Sequence, residues 1–174
     1  AWFTGDAKRR GRRATVALSP IAALGALLPM LLAMGVQAAE PFRIGLSLGL
    51  TGQYALPAAM QKRALELWRD ELNAAGGILG RPVDLMVEDD GSDAARARAI
   101  YTRYVSGPGI DVLLAPYSSD LTSAVAPIAE EAGVPMLAPG AAADEVYRKG
   151  YRNLFGILTP ASRYTQGMLR LAFD

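Results

Sequence analysis

Residues 110–120, IDVLLAPYSSD, join a short apolar segment to a turn of proline and small hydroxyl residues. The apolar part, 110–115, is typical of a buried strand, and a helical pattern follows it at 121–132. A strand that ends as a helix begins leaves backbone N–H groups and hydroxyls free at one place, which suits a carboxylate or phosphate. We therefore expect a ligand to bind at the turn of residues 116–120.

Strand and helix patterns alternate along the rest of the chain after residue 41. Further apolar segments of strand type lie at 42–50, 83–87, 134–138 and 153–158, and helical patterns lie at 58–75, 93–105 and 144–149. Strands separated by helices predict an α/β fold, an open parallel sheet with helices on both faces. Ligands bind such sheets beyond the carboxyl ends of the strands, so the loops expected to matter are 51–57, 88–93, 116–120 and 139–143.

Local signals predict how two of the helices are built. In 58–75 the apolar residues recur at the spacing of one helix face, which predicts that Trp68 lies in the core, and Gly76 and Gly77 mark the end of the helix. Ser92 precedes the helix 93–105 and is expected to be its N-cap.

The first 38 residues have the layout of a secretory signal peptide. A cluster of five basic residues, 8–13, precedes an uncharged apolar stretch, 14–36. We expect cleavage after Ala38, with cleavage after Ala39 as the near alternative. An uncleaved transmembrane anchor is the competing interpretation, since about 20 apolar residues span a bilayer. The pair Arg12 and Arg13 leaves export by the Sec or the twin-arginine route open.

The composition of the remaining 136 residues limits the possible functions. Without the leader the chain carries 13 basic and 16 acidic residues, a net charge of −3, and no basic patch with interleaved aromatic residues, so nucleic-acid binding is disfavoured. The chain has no histidine and no cysteine, which removes the usual general base, thiolate metal sites and disulfides. We expect neither a cofactor nor a metal site.

An acidic run, Glu88, Asp89 and Asp90, could indicate a metal site or acid/base chemistry. Because adjacent residues of a strand point to opposite faces, the three carboxylates are not expected to converge on one ion. The favoured interpretation is a solvated strand end.

Several segments together resemble a known family. They are Ile44-Gly45 with Thr51-Gly52, then NAAGGILGRPV at 73–83, EDD at 88–90, PYSS at 116–119 and VPMLAPGA at 134–141. In this order they resemble the amino-terminal lobe of the type I periplasmic solute-binding proteins of ABC importers, most closely the leucine/isoleucine/valine-binding branch. The resemblance covers essentially all of residues 42–174.

The resemblance implies a two-lobed protein that closes over a small molecule between its lobes, with ABC permease and ATPase subunits as partners. Residues 39–158 would form the amino-terminal lobe, and 159–174 would form the crossover and first helix of a truncated second lobe. We therefore expect a fragment of a longer reading frame that is exported to the periplasm.

The resemblance also assigns ligand-binding residues for an amino acid or a related acid or amide. Ser119, with Ser118 beside it, matches the serine that binds the α-carboxylate, and Gly140 matches a position that acts through its backbone. Ala142 falls where the amino-acid binders have a threonine, so it offers only backbone to an ammonium group. This departure argues against a branched-chain amino acid as the ligand and leaves other small carboxylates, including aromatic acids, and amides open.

Other interpretations of these residues stay open. Ser118, Ser119 and Asp120 could serve only as helix caps. Tyr117 and Tyr54 could line the pocket, or Tyr117 could cover the sheet edge. The whole domain could be a ligand sensor of the same fold or, less favoured, an exported enzyme on a flavodoxin-like sheet.

Overall fold

The computed structural model describes residues 39–173. The expected signal peptide, residues 1–38, lies outside the described residues. Within the described part, no helix is both long and apolar enough to cross a membrane.

Five strands alternate with helices, as the sequence predicts. The elements are β1 (Phe42–Leu48), α1 (Ala55–Ala74), β2 (Val83–Asp89), α2 (Ala94–Ser106), β3 (Val112–Leu114), α3 (Ser119–Ala132), β4 (Met136–Ala138), α4 (Asp144–Arg148), β5 (Leu154–Gly156), a 3-10 turn (Ala161–Arg163) and α5 (Gln166–Phe173). The strands form one sheet in the order β2-β1-β3-β4-β5, and all neighbouring pairs are parallel. This confirms the predicted α/β class.

Helices cover both faces of the sheet, and each face has its own apolar core. On one face α2 and α3 pack over Leu113 and Met136, and the fully buried Tyr101 of α2 donates its hydroxyl hydrogen to the Leu114 carbonyl in the sheet. On the other face α1 packs over Ile44 and Leu114. Leu113 and Leu114 therefore point to opposite sides of β3, as consecutive residues of a strand must.

Trp68 departs from its prediction. It is 39% exposed rather than buried in the core. Its ring lines an apolar groove of about 430 Å³ beside α1, together with Phe42, Leu65, Leu137 and Ile157. The spacing correctly predicts that Trp68 lies on the apolar face of α1. In the described residues, however, the sheet covers only part of that face, and Trp68 remains partly exposed.

Three helix starts also differ from the predictions, and the first is α3, which begins at Ser119 rather than at residue 121. Helix α1 begins at Ala55, three residues early, because Pro57 sits in its first turn, where no intrahelical N–H bond is required. Helix α2 is capped by Asp93, whose carboxylate accepts a hydrogen bond from the Arg96 N–H at 2.7 Å. The prediction that Ser92 caps this helix is therefore wrong, and the Ser92 hydroxyl bonds the loop after β1 instead.

Candidate functional site

The candidate site lies where the strand order reverses. Strands β2 and β3 lie on opposite sides of β1. The chain therefore runs in one direction along the sheet after β1 and in the opposite direction after β3, and a crevice lies between the two loops at the carboxyl edge. Open parallel sheets bind ligands in the crevice at this switch point. The loop after β4 lies next to the loop after β3, and the predicted site residues lie in these three loops.

Ser118 is the N-cap of α3. Its hydroxyl accepts a hydrogen bond from the Leu121 N–H at 3.2 Å. Its backbone has φ 96° and ψ 150°, a region that is almost restricted to glycine. Strain of this kind is concentrated at functional sites, where the surrounding structure holds it in place. Ser118 therefore acts as the N-cap of α3, which is one of the two roles that the sequence leaves open for it.

Substitution of Ser118 separates the cap from the strain. Ser118→Ala should lower the free energy of unfolding by about 1 kcal/mol, because the cap is lost and the strain stays. Ser118→Gly also loses the cap but relieves the positive φ, so its unfolding free energy should lie above that of the alanine variant. Urea denaturation measures the unfolding free energies of the two variants. An alanine variant that is more stable than the glycine variant would show that the Ser118 backbone is not strained.

Ser119 is the first residue of α3, and its hydroxyl bonds across to the neighbouring loop. Its Oγ accepts a hydrogen bond from the Ala143 N–H at 3.0 Å, over 24 residues of sequence. The cap interpretation is therefore wrong for Ser119. Because the oxygen is the acceptor in this contact, the hydroxyl hydrogen can be donated to an anionic group in the crevice.

Gly140 allows the loops after β3 and β4 to approach each other closely. A Cβ at this position would lie 3.1 Å from Tyr117 Cδ2 and 3.2 Å from Tyr117 Cα. Half-buried Ala142 follows, and its carbonyl accepts a hydrogen bond from the Ala161 N–H at 2.8 Å. The loop that carries both residues therefore also holds the segment that leaves β5.

A second contact holds that segment. Asp144 accepts hydrogen bonds from Ser162 Oγ at 2.8 Å and from Ser162 N–H at 3.2 Å. These bonds lower the pKa of Asp144 below its ordinary value, so its carboxylate stays ionised at neutral pH. The segment expected to cross to a second lobe is thus attached to the loop of Gly140 and Ala142.

Tyr54 and Tyr117 meet although 63 residues of chain separate them. Their ring centroids are 5.6 Å apart and the rings are inclined by 63°, an edge-to-face pair. Both side chains are half-buried. The aromatic pair connects the loop after β1 with the loop after β3.

The acidic run is a solvated strand end only in part, because the Glu88 side chain is exposed whereas Asp90 is not. Asp90 is fully buried, and its carboxylate accepts hydrogen bonds from Ser47 Oγ at 2.6 Å and from Ser92 N–H at 2.9 Å. Burial raises the pKa of Asp90, and these two bonds oppose the rise. Asp89 turns the other way and bonds the Thr51 hydroxyl at 2.8 Å. The prediction of a solvated side chain is therefore wrong for Asp90, because the sequence pattern does not reveal that a serine of β1 faces it.

The carboxylates of the acidic run also bond different partners rather than meeting at one point. In residues 39–173 no three acidic side chains are placed to share an ion. One signal for the real role was present in the sequence: an aspartate followed by Gly91 and Ser92 is typical of a turn in which the carboxylate bonds a backbone N–H two residues on.

Comparison with known proteins gives the fold its family. Residues 41–174 match the family described as periplasmic binding protein. The chain is 38% identical over 106 residues to Leu/Ile/Val-binding protein homolog 8 of Brucella suis biovar 1, covering 61% of this chain and 26% of that protein. It is 30% identical over 118 residues to the leucine-, isoleucine-, valine-, threonine-, and alanine-binding protein of Pseudomonas aeruginosa, covering 68% of this chain and 31% of that protein.

Solved structures of similar fold point to the same family. A putative branched-chain amino acid ABC transporter from Rhodospirillum rubrum is 33% identical with a TM-score of 0.69, covering 77% of this chain and 39% of that one. The branched-chain amino acid transporter substrate binding protein LivJ from Streptococcus pneumoniae, in complex with isoleucine, is 28% identical with a TM-score of 0.66, covering 75% and 39%.

The matches are partial in length but consistent in kind. The chain spans about a quarter to a third of the curated relatives described above. The relatives are named as binding proteins rather than as enzymes, which confirms the expectation of a binding protein. They also confirm the type I fold and its leucine/isoleucine/valine-binding-like branch. This chain belongs to the periplasmic binding protein family.

Proposed function

We propose that the full-length protein is the exported substrate-binding component of an ABC importer and captures a small carboxylate-bearing solute between two lobes. The observation that carries this proposal is the Ser119 hydroxyl. It accepts from Ala143 N–H at 3.0 Å and keeps its hydrogen for a ligand at the switch point of the sheet. An amino acid or a related acid or amide has the carboxylate or carbonyl oxygen that such a donor binds.

The other predicted residues complete the proposed pocket. Ser118 brings strained backbone to the turn, Gly140 adds backbone without a side chain, and Tyr54 and Tyr117 offer aromatic surface. Ala142 has no hydroxyl to accept a bond from an ammonium group. A bond to a charged group contributes about 1.5–3 kcal/mol, so this position bears on whether an amino acid or a plain acid is preferred.

The same proposal assigns the domains and the partners. Residues 1–38 serve as a cleaved signal peptide, 39–158 form the amino-terminal lobe, and 159–174 begin the second lobe. The bonds of Ala161 and Ser162 to the loop of Ala142 and Asp144 support a crossover at that point. The protein then works in the periplasm and delivers its solute to a permease and an ATPase.

A thermal-shift screen of the full-length protein without its leader tests the function. The panel contains L-leucine, L-isoleucine, L-alanine, benzoate and benzamide. A ligand present at 100 times its dissociation constant stabilises the folded state by about 2.7 kcal/mol, which raises Tm by several degrees. At least one carboxylate-bearing compound is expected to do so, and benzamide reports whether the negative charge is needed. A flat response to the whole panel contradicts the proposal.

A further inference from the structure

The turn after β2 reaches the loop after β1 through one side chain. Ser92 Oγ donates a hydrogen bond to the Thr51 carbonyl at 2.8 Å and accepts one from the Tyr54 N–H at 3.1 Å. The hydroxyl therefore bonds the backbone at both ends of residues 51–54. Tyr54, which forms the aromatic pair with Tyr117, takes its backbone position from a residue 38 positions further along the chain.

Hydrogen bonds through Asp90 also connect Ser92 to strand β1. Its N–H donates to the carboxylate of the fully buried Asp90 at 2.9 Å, and the other oxygen of that carboxylate accepts from Ser47 Oγ in β1. Asp89 adds a parallel connection, because it bonds both the N–H and the hydroxyl of Thr51. The turn of residues 89–92 is thus attached to the sheet on one side and to the Tyr54 loop on the other.

The backbone makes room for this hydroxyl at two glycines. A Cβ on Gly49 would lie 2.5 Å from Ser92 Oγ, and one on Gly52 would lie 2.9 Å from it. Ser92 adopts φ 61°, the left-handed region that glycine occupies at lower cost. A strained serine with two glycines packed around its hydroxyl is the arrangement expected where the hydroxyl itself is needed.

We propose that Ser92 is a positioning residue of the ligand site: by bonding the Tyr54 backbone it places the Tyr54 ring against Tyr117 and so raises the affinity for ligand. This rests on the proposed function, and it adds a residue outside the three loops that contain the expected contacts. Ser92 acts through Tyr54 and does not touch the ligand.

Two substitutions separate positioning from stability in the full-length protein. Ser92→Ala and Ser92→Gly both lose the hydroxyl, but only glycine relieves the positive φ, so the glycine variant should unfold at the higher urea concentration. Titration calorimetry uses whichever of L-leucine, L-isoleucine, L-alanine, benzoate and benzamide gives the largest thermal shift. Both variants should bind it about two- to twelvefold more weakly, the value of one neutral hydrogen bond, irrespective of their order in stability.

A double-mutant cycle with Tyr54→Ala tests whether Ser92 affects ligand affinity through the Tyr54 ring. Once the ring is gone, adding Ser92→Ala should leave the dissociation constant unchanged. Unaltered affinity of both Ser92 variants, or additive losses in the cycle, overturns the inference. If Ser119→Ala still weakens binding in that case, the proposed function stands alone. If no compound of the panel binds the unaltered protein, the proposed function and this inference fall together.

Discussion

Ser119→Ala in the full-length protein is expected to raise the dissociation constant for its carboxylate ligand about ten- to 150-fold. A hydrogen bond to a charged group is worth about 1.5–3 kcal/mol, and the substitution removes the donor proposed for it. It also removes the acceptor for Ala143 N–H, so the loop after β4 loses its bond to α3. Both effects act in the same direction on affinity, whereas the stability of the whole domain should change little.

Calorimetric titration with the strongest stabiliser of the thermal-shift panel measures the effect. Ser123→Ala, one turn further along α3, is the matched control and should bind normally. Ser119→Thr keeps a hydroxyl and should recover part of the affinity. An unchanged dissociation constant for Ser119→Ala would remove Ser119 from the site.

Gly77→Ala is expected to lower the stability of the protein far more than the same change at its neighbour Gly76. Both glycines have positive φ, at 78° and 103°, and alanine there costs about 1–2 kcal/mol for the backbone alone. A Cβ on Gly77 would in addition lie 2.0 Å from the Arg81 carbonyl oxygen, whereas a Cβ on Gly76 meets nothing within 4 Å. The difference between the two variants should therefore exceed about 2 kcal/mol.

The clash at Gly77 matters because of what lies beyond it. The turn of residues 78–81 is closed by two backbone hydrogen bonds of 2.9 Å between Ile78 and Arg81. Arg81 then forms a bidentate ion pair with Asp111, with both contacts at 2.8 Å, at the amino end of β3. Urea denaturation of the full-length protein measures the two variants, and equal midpoints would show that the turn can move without loss.

The fold was predictable because its signals are local. The apolar segments, the helical spacing of α1 and α3 and the glycines after α1 each depend on residues within a few positions of one another. The motif NAAGGILGRPV acts locally too, since the Asn73 side chain bonds both the N–H and the carbonyl of Val83 at 2.6 and 3.0 Å. Alternating strands and helices then leave few arrangements other than a parallel sheet.

The geometry of the candidate site was predictable only in part. Loop position after a strand pointed to Tyr54, Tyr117, Ser118 and Ser119, and the structure brings their loops together. Turn chemistry alone did not show which of the two serines is the helix cap: Ser118 caps α3, whereas Ser119 bonds the next loop. It also misassigned Ser92, because Asp93 competes for the same role and has the better acceptor position.

Local sequence therefore specifies which segments are strands, which are helices and which loops follow strands, because those properties depend on near neighbours. Folding adds the contacts between distant segments: Asp90 with Ser47, Ser92 with Tyr54, Tyr54 with Tyr117, and Ser119 with Ala143. Each of these pairs joins residues at least 24 positions apart, and no periodicity or turn pattern encodes them. They arise because a parallel sheet brings the carboxyl ends of its strands to one edge, where the loops must share the same space.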